Sequence, residues 1–269
     1  YMVYDTLFGI DEQGKVQPQM VDTYSSNEDG THWTLTLRDG LVFHDGKPVT
    51  SADVVQSLKR WGQRDGLGQK MFAALDKIEA DGEKTVQLHF KQPFGMVLEA
   101  LAKPSSTPPF IMPEDVAKTP ATEQISSTVG SGPYVFKADE FRPGEKAVYV
   151  KHEQYSPRNE PASGTAGGKH VNIDRVEWVI IKDAQTQANA LVNGEIDLVS
   201  WVPAEQYAAL KANPAVELLA PVPKSMYAMH LNHFVPPFDN PKIAQAALLS
   251  LNQEALMRAQ LVNKDLYNP

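Results

Sequence analysis

Not one cysteine occurs in the 269 residues, so disulfides, thiolate nucleophiles and cysteine-ligated metals are excluded. That absence is compatible with either side of a membrane and locates nothing. Long apolar runs are missing as well: no segment reaches the roughly 18 consecutive apolar residues that would span a bilayer. No secretory apolar stretch opens the chain, and its ends, "YMVYDTLFGI" and "LVNKDLYNP", read as mature or trimmed, with any leader already removed. Basic charge is also short. Lys and Arg number 25 against 33 Asp and Glu, a net −8, which argues against a sequence-independent binder of nucleic-acid backbones. The spacings G-x-G-x-x-G, G-x-S-x-G and H-E-x-x-H do not occur. "GTAGGKH" falls short of a phosphate loop: only three residues separate Gly164 from Gly168, and His170 stands where a hydroxyl is needed.

What is present is alternation of strand and helix periods. "HWTLTLR" sets Trp33, Leu35 and Leu37 against Thr34 and Thr36, the pattern of a half-buried strand. "KIEADGEKTVQLHFKQP" reads as a hairpin turning at Asp81-Gly82, with Val86, Leu88 and Phe90 on one face. Between them Thr50 is placed to cap a helix, and Asp53, three residues on, to reach back as in a capping box. Val54, Val55, Leu58 and Trp61 form its apolar stripe, and Gly62 is the expected stop. "PFGMVLEALA" predicts a short helix opened by Pro93; "SPRNEPASGTAGGKH" predicts a flexible surface loop. From Ile173 the order changes to β-α-β-α-β. "IDRVEWVII" reads as a strand buried on both faces, then come two helices with "IDLVS", "AVELLAP" and "MYAMHLNHF" as further strands of a mainly parallel sheet.

Three groups could carry chemistry. His44-Asp45 is half of a general-base pair, but no spacing supplies a nucleophile, and the turn "HDGKP" explains the residues conformationally. His230 and His233 in "HLNH" point to opposite faces of a strand and lack a third ligand, so no metal is expected. Gly130 and Gly132 of "GSGP" precede no helix and read as bends or a hinge. A cleft is the better prospect. Trp201 follows "IDLVS" at a strand's carboxyl end, where open α/β sheets place ligands. Tyr227 and Met229 alternate on one strand face, and Asn232 lies where that strand leaves. These four are the candidate ligand contacts; no catalytic residue and no cofactor is expected.

"LRDGLVFHDGKPVTSADVVQSLKRW" resembles the signature region of the solute-binding proteins that serve peptide and nickel ABC importers. "VYDTLFGIDEQGKVQPQMVDTY", "GSGPYVF", "NGEIDLV" and "HLNHFVPPFDNPKIAQAAL" with "NQEAL" follow in the family's order. The resemblance implies a mixed α/β fold of the type II periplasmic binding protein kind, three-domain variety and partial. Residues 1–172 would form a β-rich scaffold domain, 173–235 part of a first ligand lobe, and 236–269 the start of a second. It implies a monomeric receptor, periplasmic or lipid-anchored, that captures a small solute or oligopeptide and delivers it to a permease, with no enzymatic activity. The chain departs from the family in lacking its short N-terminal strand and large C-terminal portion. It also carries Ala244 and Gln253 where basic residues are usual. The competing expectations are a peptide-binding module without transport and a hydrolase built on carboxylates or a His–Asp couple.

Overall fold

The computed structural model describes residues 1–219 and 228–260, in two compact units, Tyr1–Val179 and Ile180–Pro269. The first opens with a small hairpin of β1 (Phe8–Ile10) and β2 (Val16–Pro18). β3 (Val21–Ser26) and β4 (His32–Leu37) follow, then helices α1 (Ser51–Arg64) and α2 (Gly66–Ala74), then β5 (Leu75–Asp81) and β6 (Thr85–Phe90). These four strands form one antiparallel sheet in the order β3-β4-β6-β5. Short helices α3 (Val97–Leu101) and α4 (Glu114–Ala117) lead to a second antiparallel sheet, β7 (Tyr134–Phe136), β8 (Lys146–Lys151) and β9 (Arg175–Val179).

The core of this unit follows from the sequence periods. Leu35 and Leu37 of β4 and Val86, Leu88 and Phe90 of β6 are buried, and the intervening polar residues are less so. α1 lays Val54, Val55, Leu58 and Trp61 onto the same core and packs against β5 and β6. Each such side chain contributes about 1.5–3 kcal/mol of apolar burial. At the helix start, Asp53 Oδ2 accepts the Thr50 N–H and hydroxyl, both at 2.7 Å. Its Oδ1 accepts the Glu114 N–H, also at 2.7 Å, so one buried carboxylate caps α1 and pins α4. Asp53→Ala should cost about 2 kcal/mol, the sum of a lost cap and an orphaned amide. Urea unfolding would measure it, and a loss below about 0.5 kcal/mol would show that the carboxylate is dispensable.

Two expectations about the helices need correction. Gly62 does not end α1; it lies inside it, because a Cβ there would fall 2.4 Å from the Phe72 ring of α2. The stop comes at Asp65, which caps α2 by accepting from Leu67 N and Gly68 N. α3 begins at Val97, four residues beyond Pro93. The 156–170 segment is not a loose loop either. Ala166, Gly167 and Gly168 are buried, and the N–H of Thr165 donates to Ile10 O at 2.8 Å.

β9 differs more. It pairs antiparallel with β8, and Trp178 and Val179 are exposed. That exposure leaves the apolar run unenclosed, and among the described residues the strand's other edge has no partner. With this pairing the first compact unit runs to Val179, the last residue of β9.

The second unit holds α5 (Ala184–Val192), α6 (Ala204–Lys211), α7 (Pro241–Leu249) and α8 (Gln253–Gln260). Asp183 caps α5 through Thr186 N at 2.7 Å, as its position predicts, and Pro203 stands at the α6 cap. Of the expected strands, 196–200 and the described parts of 215–221 and 226–234 carry no ladder; residues 220–227 lie outside the described residues. A helix closes its hydrogen bonds locally; a strand exists only where a neighbour supplies the other half of the ladder. No helix among the described residues is long and apolar enough to cross a membrane.

Candidate functional site

The hydrogen bonds of His44 decide its role. It sits in the loop after β4, where its backbone N–H donates to Gly130 O at 2.8 Å. The Gly130 N–H donates to His44 Nδ1 at 3.2 Å, and His44 Nε2 lies 3.1 Å from Gly132 O. A carbonyl only accepts, so Nε2 carries the proton and Nδ1 the lone pair. Both ring nitrogens are spent on backbone, and burial holds the imidazole below its ordinary range. Asp45 pairs instead with Lys47 at 2.8 Å. His44 is a strut between the loop and the Gly130–Gly132 segment, without a free base.

The glycines of that segment are needed for space. A Cβ on Gly130 would lie 2.0 Å from Val3 O, and one on Gly132 would lie 2.4 Å from Met2 O. The chains approach this closely because Gly132 N and Tyr134 N donate to Val3 O and Met2 O, each at 2.9 Å.

The candidate ligand residues lie in the second unit. Trp201 stands between α5 and α6, 66% exposed. Met229 is half exposed, and Asn232 Oδ1 accepts the Phe234 N–H at 3.0 Å, turning the chain. Tyr227 lies outside the described residues. No hydrogen bond or ring contact joins Trp201 to Met229 or Asn232. Beside Trp201, the side chains of Ala184, Gln187 and Ala188 face Val202, Gln206 and Leu210 across a crevice between the two helices. Its ≈10 Å³ is the space of about one water, so this is a helix–helix seam and no ligand cavity. Gln206 Nε2 bridges it to Gln185 Oε1 at 2.9 Å, a tie that no sequence period signals.

The histidines of "HLNH" form no pair. His230 is exposed, and His233 Nδ1 lies 3.0 Å from Phe238 O. Across the sheet, His32 and His89 meet edge to face at 4.8 Å, with Glu79 3.4 Å from His89. Among the described residues no group of three or more His, Asp or Glu is arranged to hold a metal. Ala244, where the resemblance would place a basic residue, is buried on α7.

Residues 15–266 match the bacterial extracellular solute-binding proteins, family 5 middle. The chain belongs to this family. Among curated relatives it is 38% identical, over 99% of its length, to the "Probable peptide ABC transporter periplasmic-binding protein y4tO" of Sinorhizobium fredii. It is 30% identical, over 95%, to the glutathione-binding protein GsiB of Pectobacterium atrosepticum. It covers 50% and 47% of those proteins, so it spans about half the length of the relatives it matches. Its backbone superposes on NikZ from Campylobacter jejuni, solved with Ni(L-His), with a TM-score of 0.74 at 19% identity. The superposition covers 96% of this chain and 49% of that one, and shows the shared fold. The relatives are solute-binding proteins of ABC transporters, which are not enzymes. The mixed α/β fold of the binding-protein type is likewise the family's.

Proposed function

We propose that this chain is part of an extracytoplasmic receptor that captures a peptide and delivers it to an ABC permease, acting as a monomer, periplasmic or lipid-anchored. The observation that carries the reading is the family match over residues 15–266, joined by relatives whose names specify peptide and glutathione, itself a tripeptide. On this reading residues 1–172 serve as scaffold, 173–235 contribute to a first ligand lobe, and 236–269 begin a second. Trp201, Tyr227, Met229 and Asn232 contribute to the ligand surface. The exposure of Trp201 supports this: an indole left in water by its own unit is available to stack on a bound solute.

Native mass spectrometry of the receptor at the length of its relatives, purified without refolding, tests the ligand class. A co-purified peptide of a few residues is expected; a metal complex or an organic acid in its place would overturn the peptide assignment. Trp201→Ala should weaken that ligand's binding about tenfold, the worth of one aromatic contact. Because the side chain is exposed, the melting temperature should stay unchanged. Undiminished affinity in isothermal titration would remove Trp201 from the site.

A further inference from the structure

His44 has a partner that the sequence does not announce. His152 follows directly on β8, and its ring meets that of His44 edge to face at 4.8 Å. Both converge on one acceptor, the carbonyl of Gly132 two residues before β7, with His152 Nδ1 at 3.2 Å and His44 Nε2 at 3.1 Å. The His152 N–H also donates to Pro133 O at 2.9 Å. The loop after β4 leads from the four-stranded sheet to α1, whereas Gly132, two residues before β7, and His152, one after β8, flank the three-stranded sheet. The imidazole pair therefore joins segments that flank the four-stranded and the three-stranded sheets of the first unit.

This junction accepts neutral rings only. His152 Nδ1 must carry a proton to reach the carbonyl, so its Nε2 is a bare lone pair, buried and without a partner. A second proton there would create an enclosed cation with no acceptor. On His44 the second proton would go to Nδ1, which faces the Gly130 N–H, donor against donor; the Thr128 carbonyl and the Asp45 carboxylate favour the charged ring, but burial outweighs them. Two charged rings at this separation would also repel. Little stands ready to offset these costs. On the loop, Asp45 is tied to Lys47. On the glycine segment the facing groups are backbone and the Ser131 hydroxyl, itself buried and unpartnered. Beyond β8, Lys151 and Glu153 face each other 3.8 Å apart, with Glu153 77% exposed.

We propose that His44 and His152 form an acid-released clasp that holds the three-stranded sheet to the helix-bearing body of the first unit. The sign follows from linkage. Burial keeps both rings below their ordinary value of about 6.5 in the closed state. Above that pH, closed and open forms are equally neutral and the clasp is at full strength. As the pH falls below it, opening takes up protons, and the clasp weakens until the pH passes the lowered closed-state values. With two rings, the open-to-closed ratio rises up to about a hundredfold per pH unit. For an extracellular protein, such a clasp would couple the rigidity of the first unit to the acidity of its surroundings.

Hydrogen-exchange mass spectrometry of the intact chain between about pH 7.5 and about pH 5, corrected for intrinsic exchange, tests this. Protection of the Gly130, Gly132 and Tyr134 amides should fall by at least tenfold on acidification, while the centre of α1 stays protected. The double variant His44→Gln with His152→Gln keeps a donor for Gly132 O but cannot titrate, and its response should flatten to under about threefold. Should that variant fail to fold, histidine ring resonances of the unaltered protein decide, with both rings expected to titrate below the ordinary value. Protection that ignores pH, an acid response that survives in the folded double variant, or a ring titrating at its ordinary value would each overturn the clasp.

Discussion

Replacing Asp5 with Ala should lower the stability of the first unit by about 3–5 kcal/mol, the cost of breaking a buried ion pair from one side. Asp5 is 1% exposed and gathers four donors. Its Oδ1 takes the Lys169 ammonium at 2.7 Å and the Thr6 N–H at 3.0 Å. Its Oδ2 takes the Tyr155 hydroxyl at 2.9 Å and Gln19 Nε2 at 3.5 Å. Burial, and after it the Asp5 charge, pushes the Tyr155 phenol up, so it remains a donor at every accessible pH. Removing the carboxylate strands a lysine that is only 16% exposed and a half-buried tyrosine hydroxyl together. For a unit of this size the melting temperature should fall by roughly 6–20 °C. Thermal unfolding of Asp5→Ala, Lys169→Met and the double variant separates pair from parts: the double should be less damaging than the sum of the singles. Additive losses, or an Asp5→Ala protein within about 1 kcal/mol of the original, would show that the network is decoration.

Asp5 and Lys169 stand 164 residues apart, and nothing in either neighbourhood announces the other. That separates what the sequence discloses from what it conceals. The capping box of Thr50 and Asp53 and the hairpin at Asp81-Gly82 depend on residues a few positions apart, so local spacing reveals them. Gly62 misleads because glycine has two uses: it can stop a helix, or it can let a neighbour such as Phe72 approach. β9 misleads for another reason. An apolar run states that a strand would gain by burial, not that a neighbour is at hand to bury it. Trp178 at 57% exposure shows the difference.

At the candidate ligand residues the sequence conveys exposure better than partners. Trp201 stands out in the sequence as the residue at the carboxyl end of an expected strand, 196–200; no ladder forms there, and the side chain is exposed. Met229 is half exposed; Asn232, chosen for lying where the chain leaves a strand, spends its oxygen on turning the backbone toward Phe234. The Gln185–Gln206 bridge depends on how two helices face each other, which neither helix encodes alone. His44 gave the reverse case. Its flanking turn "HDGKP" spoke for architecture, and Gly130, Gly132 and His152 supply the partners that the reading required.

Those two glycines carry the second large effect. Gly130→Ala should destabilise the first unit by about 3 kcal/mol or more, at or beyond the upper end for overpacking. The added Cβ would stand 2.0 Å from Val3 O and 2.9 Å from the Tyr4 ring, and a backbone carbonyl cannot swing aside as a long side chain can. Relief requires moving residues 2–4 off the 130–134 segment. That breaks the bonds from Gly132 N to Val3 O and from Tyr134 N to Met2 O, and it shifts the carbonyl on which both imidazoles converge. Gly95→Ala is the control: a Cβ there meets nothing within 4 Å. That replacement should be neutral or gain about 0.4–1 kcal/mol from a less flexible unfolded chain. Chemical denaturation of the two variants side by side reads the contrast. Equal stability would mean that the close approach of the two backbones does not hold in solution, and with it the seat of the histidine pair; a wide gap assigns Gly130 to packing where its sequence context suggested only a bend.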